Sequence, residues 1–423
     1  MPALIPFHFE RLNEVLLYII KRKEKKLFLK KISNFSKSEK TYLCEFIIWN
    51  KLSSVLLDFV NLEELNESLD QLSLKKIEYQ KTKFQIQSIS IVEEVLILND
   101  LLRTNNFNGI FLKGVALSLF EYKDISLRPM MDIDILIKKE NILDFYEILT
   151  QKGYTHSDGI VYSKDKLKEY LNSSHQLPEL KSKKNISIDL HHRSTKINSF
   201  EHCPLSKSTF ENHKSKDFMN TKIKVPDENS LLLNQLLHLS SYPEYKFGAL
   251  SLQDYFILNQ NYNYEIDTLI NSLSNKIAVR NISLSLSLFD FILDYTNRIK
   301  KNKVFSSRIN DQIILIAFNK FYEIPKKNLF NNSFSFFLIQ NKTFISFISF
   351  VLKKFFPSKR EMYYIFGERI LHTKFFFFFY FLHFINLNRK YYKDAISIFF
   401  GLISQRPKLN DYKKLSNWLK SSE

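Results

Sequence analysis

The chain has 423 residues, with 61 Lys+Arg against 44 Asp+Glu, a net charge of +17, 40 Phe and only 7 Gly. At about 150 residues per domain the length suits two or three domains, and a hydrophobic fraction of 45% excludes a disordered chain. So few glycines argue against a large sandwich, a barrel or a Gly-rich dinucleotide fold, and two cysteines build neither a disulfide framework nor a zinc pattern, which fits a reducing, cytoplasmic setting.

Residues 1–10 carry His8 and Glu10 and no apolar core of leader length. Residues 1–104 read as a helical region: apolar residues recur at three- and four-residue spacing over 43–61 and 89–102, and the stretch has no Gly. From Asn105 the pattern changes. Residues 109–114 read as a strand ending at a turn, 115–122 as a helix, 131–138 as an alternating strand, and 141–152 as a helix stopped by Gly153. Residues 176–180 and 186–192 read as two strands around a polar turn, with Pro178 confining the first to a sheet edge. Residues 105–200 are therefore expected to form a small α/β core with a mixed, partly antiparallel sheet. Residues 201–229 are polar and read as a linker. Helical spacing returns from Ser230 and runs to Glu423. The fold class expected is α+β, with the sheet core set between an N-terminal helical region and a large C-terminal helical domain, 230–423.

Residues 301–423 hold 21 Lys+Arg, 7 Asp+Glu and 22 Phe, so most of the excess charge lies there. A Phe core with a Lys-rich rim accounts for this pattern. So does a surface for RNA or for an anionic membrane. The longest apolar run, 375–387, has 13 residues, short of the roughly 20 that a spanning helix needs. No transmembrane helix is expected, and the locations that fit are the cytoplasm and the inner membrane face.

The chemistry concentrates in residues 128–138. Strand side chains alternate between faces, so Met131, Ile133, Ile135 and Ile137 are expected to face a core and Asp132 and Asp134 to share the other side. Two carboxylates on one strand face repel each other, and such pairs persist mainly where a divalent cation neutralises them; hard oxygen donors of this kind suit Mg²⁺ shared with substrate phosphates. Ile186, Ile188 and Leu190 form a second buried face, with Asp189 and His191 opposite. If the two strands are neighbours, Asp189 joins the pair, and three carboxylates suffice for two metal ions. Lys113-Gly114 closes the first strand, where glycine allows close backbone approach and a helix start would aim N–H groups at a phosphate.

The set FLKG (111–114), Tyr122, RPMMDIDILI (128–137), HQLP (175–178) and IDLHHR (188–193) resembles the uncharacterised bacterial nucleotidyltransferase family of the DNA polymerase beta-like superfamily. Its motifs are LKG, R-x-x-x-D-I-D-x-L and D/E-L-H-W. The resemblance extends to a helical lead-in, a Leu236–Leu239 stretch with a following Leu252-Gln-Asp254, and a helical C-terminal half. It implies an enzyme with two Mg²⁺ ions that moves a nucleoside monophosphate from a nucleoside triphosphate to an acceptor, such as a sugar, a small metabolite, a protein or an RNA end. It makes Asp132, Asp134 and Asp189 metal ligands, with Asp189 as third ligand or general base. Lys113, Gly114 and Arg128 would meet phosphate, since guanidinium suits that geometry. His191 and His175 are accessory positions, and His238 and Asp254 read as structural. The chain departs from the pattern at Lys113, which stands where the superfamily usually has a small residue, and at His192, which stands in place of Trp. The competing reading is a degenerate nucleotidyltransferase-like module that binds RNA or membrane as a scaffold.

Overall fold

The computed structural model describes residues 7–156, 159, 161–194, 204–240, 245, 248–273, 275–294, 309–324, 380, 411, 414, 415 and 418. The apolar run at 375–387, Tyr380 apart, and most of the basic tail lie outside them.

Six helices come first: α1 (Phe7–Lys21), α2 (Lys25–Ser33), α3 (Lys37–Trp49), α4 (Ser53–Phe59), α5 (Leu62–Asn66) and α6 (Gln71–Thr104). The expected run at 43–61 is broken between α3 and α4, where Lys51 takes a left-handed φ of 59°. Ser36 with Glu39, and Asn61 with Glu64, form reciprocal capping boxes at α3 and α5. Asp70 starts α6 by accepting from Ser73 N. With no Gly or Pro to interrupt it, α6 runs 34 residues, about 51 Å at 1.5 Å per residue.

The α/β core follows. Strand β1 (Gly109–Phe111) leads into α7 (Lys113–Phe120), β2 (Asp132–Ile137), α8 (Ile142–Gln151), β3 (Thr155–His156), α9 (Lys164–Ser173), β4 (Leu180–Lys181) and β5 (Ser187–His191). These strands form one mixed sheet in the order β1-β2-β5-β4-β3. Only β2 and β5 are parallel; the other pairs are antiparallel. Gly109 lies under α6, where a Cβ would meet Leu102 at 2.6 Å.

Four details differ from the sequence reading. Met131 is 41% exposed, because β2 begins one residue later and Met131 lies in the loop before it. Pro178 does not mark an edge: β4 begins two residues after it and lies between β5 and β3. Helix α9 has one short apolar stripe, Leu167, Tyr170 and Leu171, within a polar stretch, and edge strand β3 has two residues, too few for a period. The stretch 201–229 is structured: α10 (Pro204–Asn212) is followed by a hairpin of β6 (Lys214–Phe218) and β7 (Thr221–Val225). Residues 221–225 alternate, with Ile223 and Val225 buried, but their partner 214–218 has one apolar residue, Phe218, and shows no strand pattern. Asn99 of α6 fastens the hairpin, donating to Thr221 Oγ1 at 3.1 Å and to the Lys222 carbonyl at 3.2 Å.

Helices α11 (Glu228–Ser240), α12 (Gly248–Asn261), α13 (Ile266–Asn271), α14 (Lys276–Leu293) and α15 (Asp311–Tyr322) complete a compact unit with the sheet and the N-terminal helices. Asn50, buried after α3, accepts from Ala249 N at the start of α12. Tyr322 of α15 donates to Asn13 of α1. No helix among the described residues is long and apolar enough to cross a membrane.

The face of β2 that carries its carboxylates becomes a core at the far end, where Leu136 packs with Ile110, Leu112 and Phe210. Leu136→Ala should lower unfolding free energy by about 2–5 kcal/mol in urea denaturation, whereas Tyr79→Ser, at an exposed site on α6, should change it by under about 0.5 kcal/mol.

Candidate metal and phosphate site

The parallel register of β2 and β5 sets Asp132 opposite Ser187, Asp134 opposite Asp189, and Leu136 opposite His191. With a two-residue period, Asp132, Asp134, Asp189 and His191 share one face. Ligand atoms of Asp134, Asp189 and His191 all lie within 4.8 Å of one another. Asp132 is two residues along the same face, half-buried.

Asp134 is 2% exposed and is held from two sides. Lys113 Nζ donates to its Oδ1 at 2.6 Å, and His191 Nε2 lies 2.7 Å from the same oxygen. Its backbone carbonyl accepts from Leu112 N at 2.9 Å, which ties the start of α7 to β2. Burial opposes the Asp134 charge, but the Lys113 ammonium and the His191 ring hold its carboxyl well below the usual range. The other two carboxylates go the opposite way. Burial, then repulsion from Asp134, pushes Asp132 up to about 6 despite the nearby charges of Lys113 and Lys51. Burial, then Asp134 and Asp132, pushes Asp189 up to about 7. Burial and the Lys113 charge hold His191 below its ordinary value and bring His238 of α11 down to about 3. The His175 ring packs 5.2 Å from that of His191. His192 turns away, with Nε2 on the Ser174 carbonyl at 2.8 Å.

These residues fit a divalent cation. Asp189 Oδ1 is buried without a hydrogen-bond donor, an arrangement that costs about 1–3 kcal/mol unless something positive meets it. Carboxylate oxygens suit Mg²⁺ or Mn²⁺, and one imidazole is compatible with Mn²⁺ or Zn²⁺.

Arg128 and Gly114 belong to a second buried system. Arg128 makes a two-pronged pair with Asp254 of α12, Nε to Oδ1 at 3.2 Å and Nη2 to Oδ2 at 3.1 Å. Asp254 also accepts from the Tyr122 hydroxyl at 2.7 Å and from Gln235 Nε2 of α11 at 2.6 Å. The third Arg128 nitrogen, Nη1, donates to the Pro129 carbonyl at 3.2 Å. The guanidinium expected at a phosphate is therefore engaged by a carboxylate inside the protein. Gly114 lies beneath it: a Cβ there would stand 2.8 Å from Arg128 Nη1. The sequence signals Asp254 only through the family resemblance of Leu252-Gln-Asp254. Its partner lies 126 residues away, which no local pattern reveals. Lys51, from the turn after α3, was also not anticipated near Asp132.

The fold and the cluster together define an α+β protein with a buried Asp-Asp-His cluster that could hold a cation on paired parallel strands. A family model described as uncharacterised nucleotidyltransferase matches residues 36–290. The match covers more than half of the chain, and the protein belongs to that family. No curated protein and no solved structure matches it.

Removing one partner of a buried ion pair leaves the other charge stranded, at a cost of about 3–5 kcal/mol. Arg128→Met and Asp254→Leu should each destabilise by that order, and a double-mutant cycle in urea should show strong coupling. Arg128→Lys should not restore stability, because a point charge cannot satisfy both carboxylate oxygens.

Proposed function

We propose that this protein is a Mg²⁺-dependent enzyme that moves a nucleoside monophosphate from a nucleoside triphosphate to a hydroxyl acceptor. The observation that carries this reading is the convergence of Asp134, Asp189 and His191 within 4.8 Å in a member of a nucleotidyltransferase family. Asp134 and Asp189 would hold a divalent cation, with Asp132 beside them for a second, and such an ion would neutralise charge on the phosphates and make an oxygen nucleophile easier to deprotonate.

The chain's own residues position and hold charge, which is most of what phosphoryl transfer asks of a protein. Asp132 and Asp134 present their carboxylates on one rigid strand face. His191 fixes Asp134 through Oδ1. Lys113 supplies a cation for the triphosphate from the first residue of α7. Arg128, clamped by Asp254, sets the path of residues 128–131 into β2. The acceptor oxygen bonds to the α-phosphorus as the bond to pyrophosphate breaks, and the acceptor proton passes to a carboxylate of the cluster.

One observation favours a second reading, a degenerate binding module: an ammonium, that of Lys113, already sits on Asp134. The two readings part on ligand response. Mg²⁺ with the matching triphosphate at a hundredfold excess over its dissociation constant should stabilise the protein by about 2.7 kcal/mol. With labelled nucleoside triphosphates, Mg²⁺ and cell extract as acceptor source, the wild type should label a product. Asp134→Asn or Asp189→Asn should cut that labelling at least about a thousandfold while the fold, followed by circular dichroism, persists. Undiminished labelling in the Asp132→Ala, Asp134→Ala double variant would remove the assignment.

A further inference from the structure

Lys113 occupies a place that the site's chemistry reserves for a cation. Its Nζ lies 2.6 Å from Asp134 Oδ1, the same oxygen that meets His191 Nε2. That oxygen already has two donors, while Asp189 Oδ1, across the strand pair, has none. A divalent ion cannot take Asp134 Oδ1 as a ligand while the ammonium stays there, because two positive charges would compete for one oxygen at contact distance.

The backbone shows that this placement is imposed. Lys113 has a φ of 43°, a left-handed conformation that costs a non-glycine residue of order 1–3 kcal/mol and persists only where the surroundings over-determine it. The neighbours that do so are both visible. Leu112 N is tied to the Asp134 carbonyl, and Gly114 is seated under Arg128. The side chain is not sealed in: it is a flexible four-carbon stem with a point charge, 21% exposed.

We propose that Lys113 is a displaceable counter-ion that couples metal binding to nucleotide binding. Without nucleotide its ammonium neutralises the carboxylate cluster and keeps affinity for the divalent cation low. A triphosphate draws the ammonium from Asp134 onto phosphate oxygens and frees Asp134 for the metal. Metal and nucleotide then bind cooperatively, each raising the other's affinity by the same factor, as linkage requires. This inference rests on the nucleotidyl-transfer reading of the site and makes Lys113 the residue that trades Asp134 for the triphosphate within it.

The test uses the full chain and two probes measured separately: Mn²⁺ alone, followed by electron paramagnetic resonance of the free ion, and inorganic tripolyphosphate alone in metal-free buffer, followed by calorimetry. Lys113→Met should bind Mn²⁺ at least tenfold more tightly than wild type and tripolyphosphate at least fivefold more weakly. Lys113→Arg, which keeps the charge, should retain the weak Mn²⁺ affinity of wild type. Lys113→Gln, which keeps a donor for Asp134 without the charge, should tighten Mn²⁺ binding as methionine does, and serves if the methionine variant unfolds. Saturable Mn²⁺ binding that Asp134→Asn abolishes, yet that is no tighter in the uncharged variants, overturns the inference and leaves the proposed activity standing. Tripolyphosphate affinity unchanged in those variants overturns it as well. Absence of saturable Mn²⁺ binding in wild type and variants alike removes the metal site, and both readings with it.

Discussion

Asp134 keeps its charge almost out of contact with water, and the structure around it is organised to make that tolerable. An isolated carboxylate at such a depth would take up a proton rather than stay ionised. Two cationic or proton-donating groups prevent this, Lys113 and His191, and each arrives by a different route. The parallel pairing of β2 with β5 brings His191 beside the next residue pair on the same face. The short link from β1 into α7, pinned by Leu112 to the Asp134 carbonyl, brings Lys113. The left-handed backbone of Lys113, the pairing register and the early start of α7 all serve one oxygen atom.

The Arg128–Asp254 system does comparable work beside Gly114 of α7. It joins residues 122–131 to α11 and α12 through Tyr122, Gln235 and both oxygens of Asp254. The helices that follow the sheet are therefore part of the mechanics of the site, since they hold the segment that delivers Asp132 to the head of β2. A fully engaged guanidinium in a buried pair favours a single conformation over adaptability, which suits a scaffold role better than capture of a mobile phosphate.

Much of this was legible in the chain. Alternation around Asp132, Asp134 and Asp189 located β2 and β5 and put the carboxylates on the correct faces, because a two-residue period survives in strands buried on one side. Gly153, with a φ of 91°, ends α8 where a C-terminal glycine was expected. What escaped the sequence depends on partners distant along it. Guanidinium geometry suits phosphate and carboxylate equally well, so Arg128 was read toward phosphate, and only folding brings Asp254 to it. The β6–β7 hairpin and α9 escaped because the two strands together, and the helix, have only three apolar residues each among many lysines, too few to stand out from a polar surface stretch. Alternation alone points Met131 into the core, but the strand starts after it.

Lys113 and Gly114 are consecutive, and this joins the two buried charge systems at a single peptide. One residue neutralises Asp134, and the next yields its side-chain volume to Arg128. Neither tolerates the other's requirement: a lysine at 114 would collide with the guanidinium, and a glycine at 113 would leave Asp134 with His191 alone. The LKG sequence is thus explained by two constraints of different origin, one electrostatic and one steric. The balance it strikes is incomplete: burial and then carboxylate repulsion outweigh the nearby positive charges, and push Asp132 up to about 6 and Asp189 up to about 7. The scaffold is fully compensated, with every Arg128 nitrogen engaged, whereas the strand face is short of positive charge. That asymmetry separates a closed structural network from an acidic face whose charge is left for a ligand to balance.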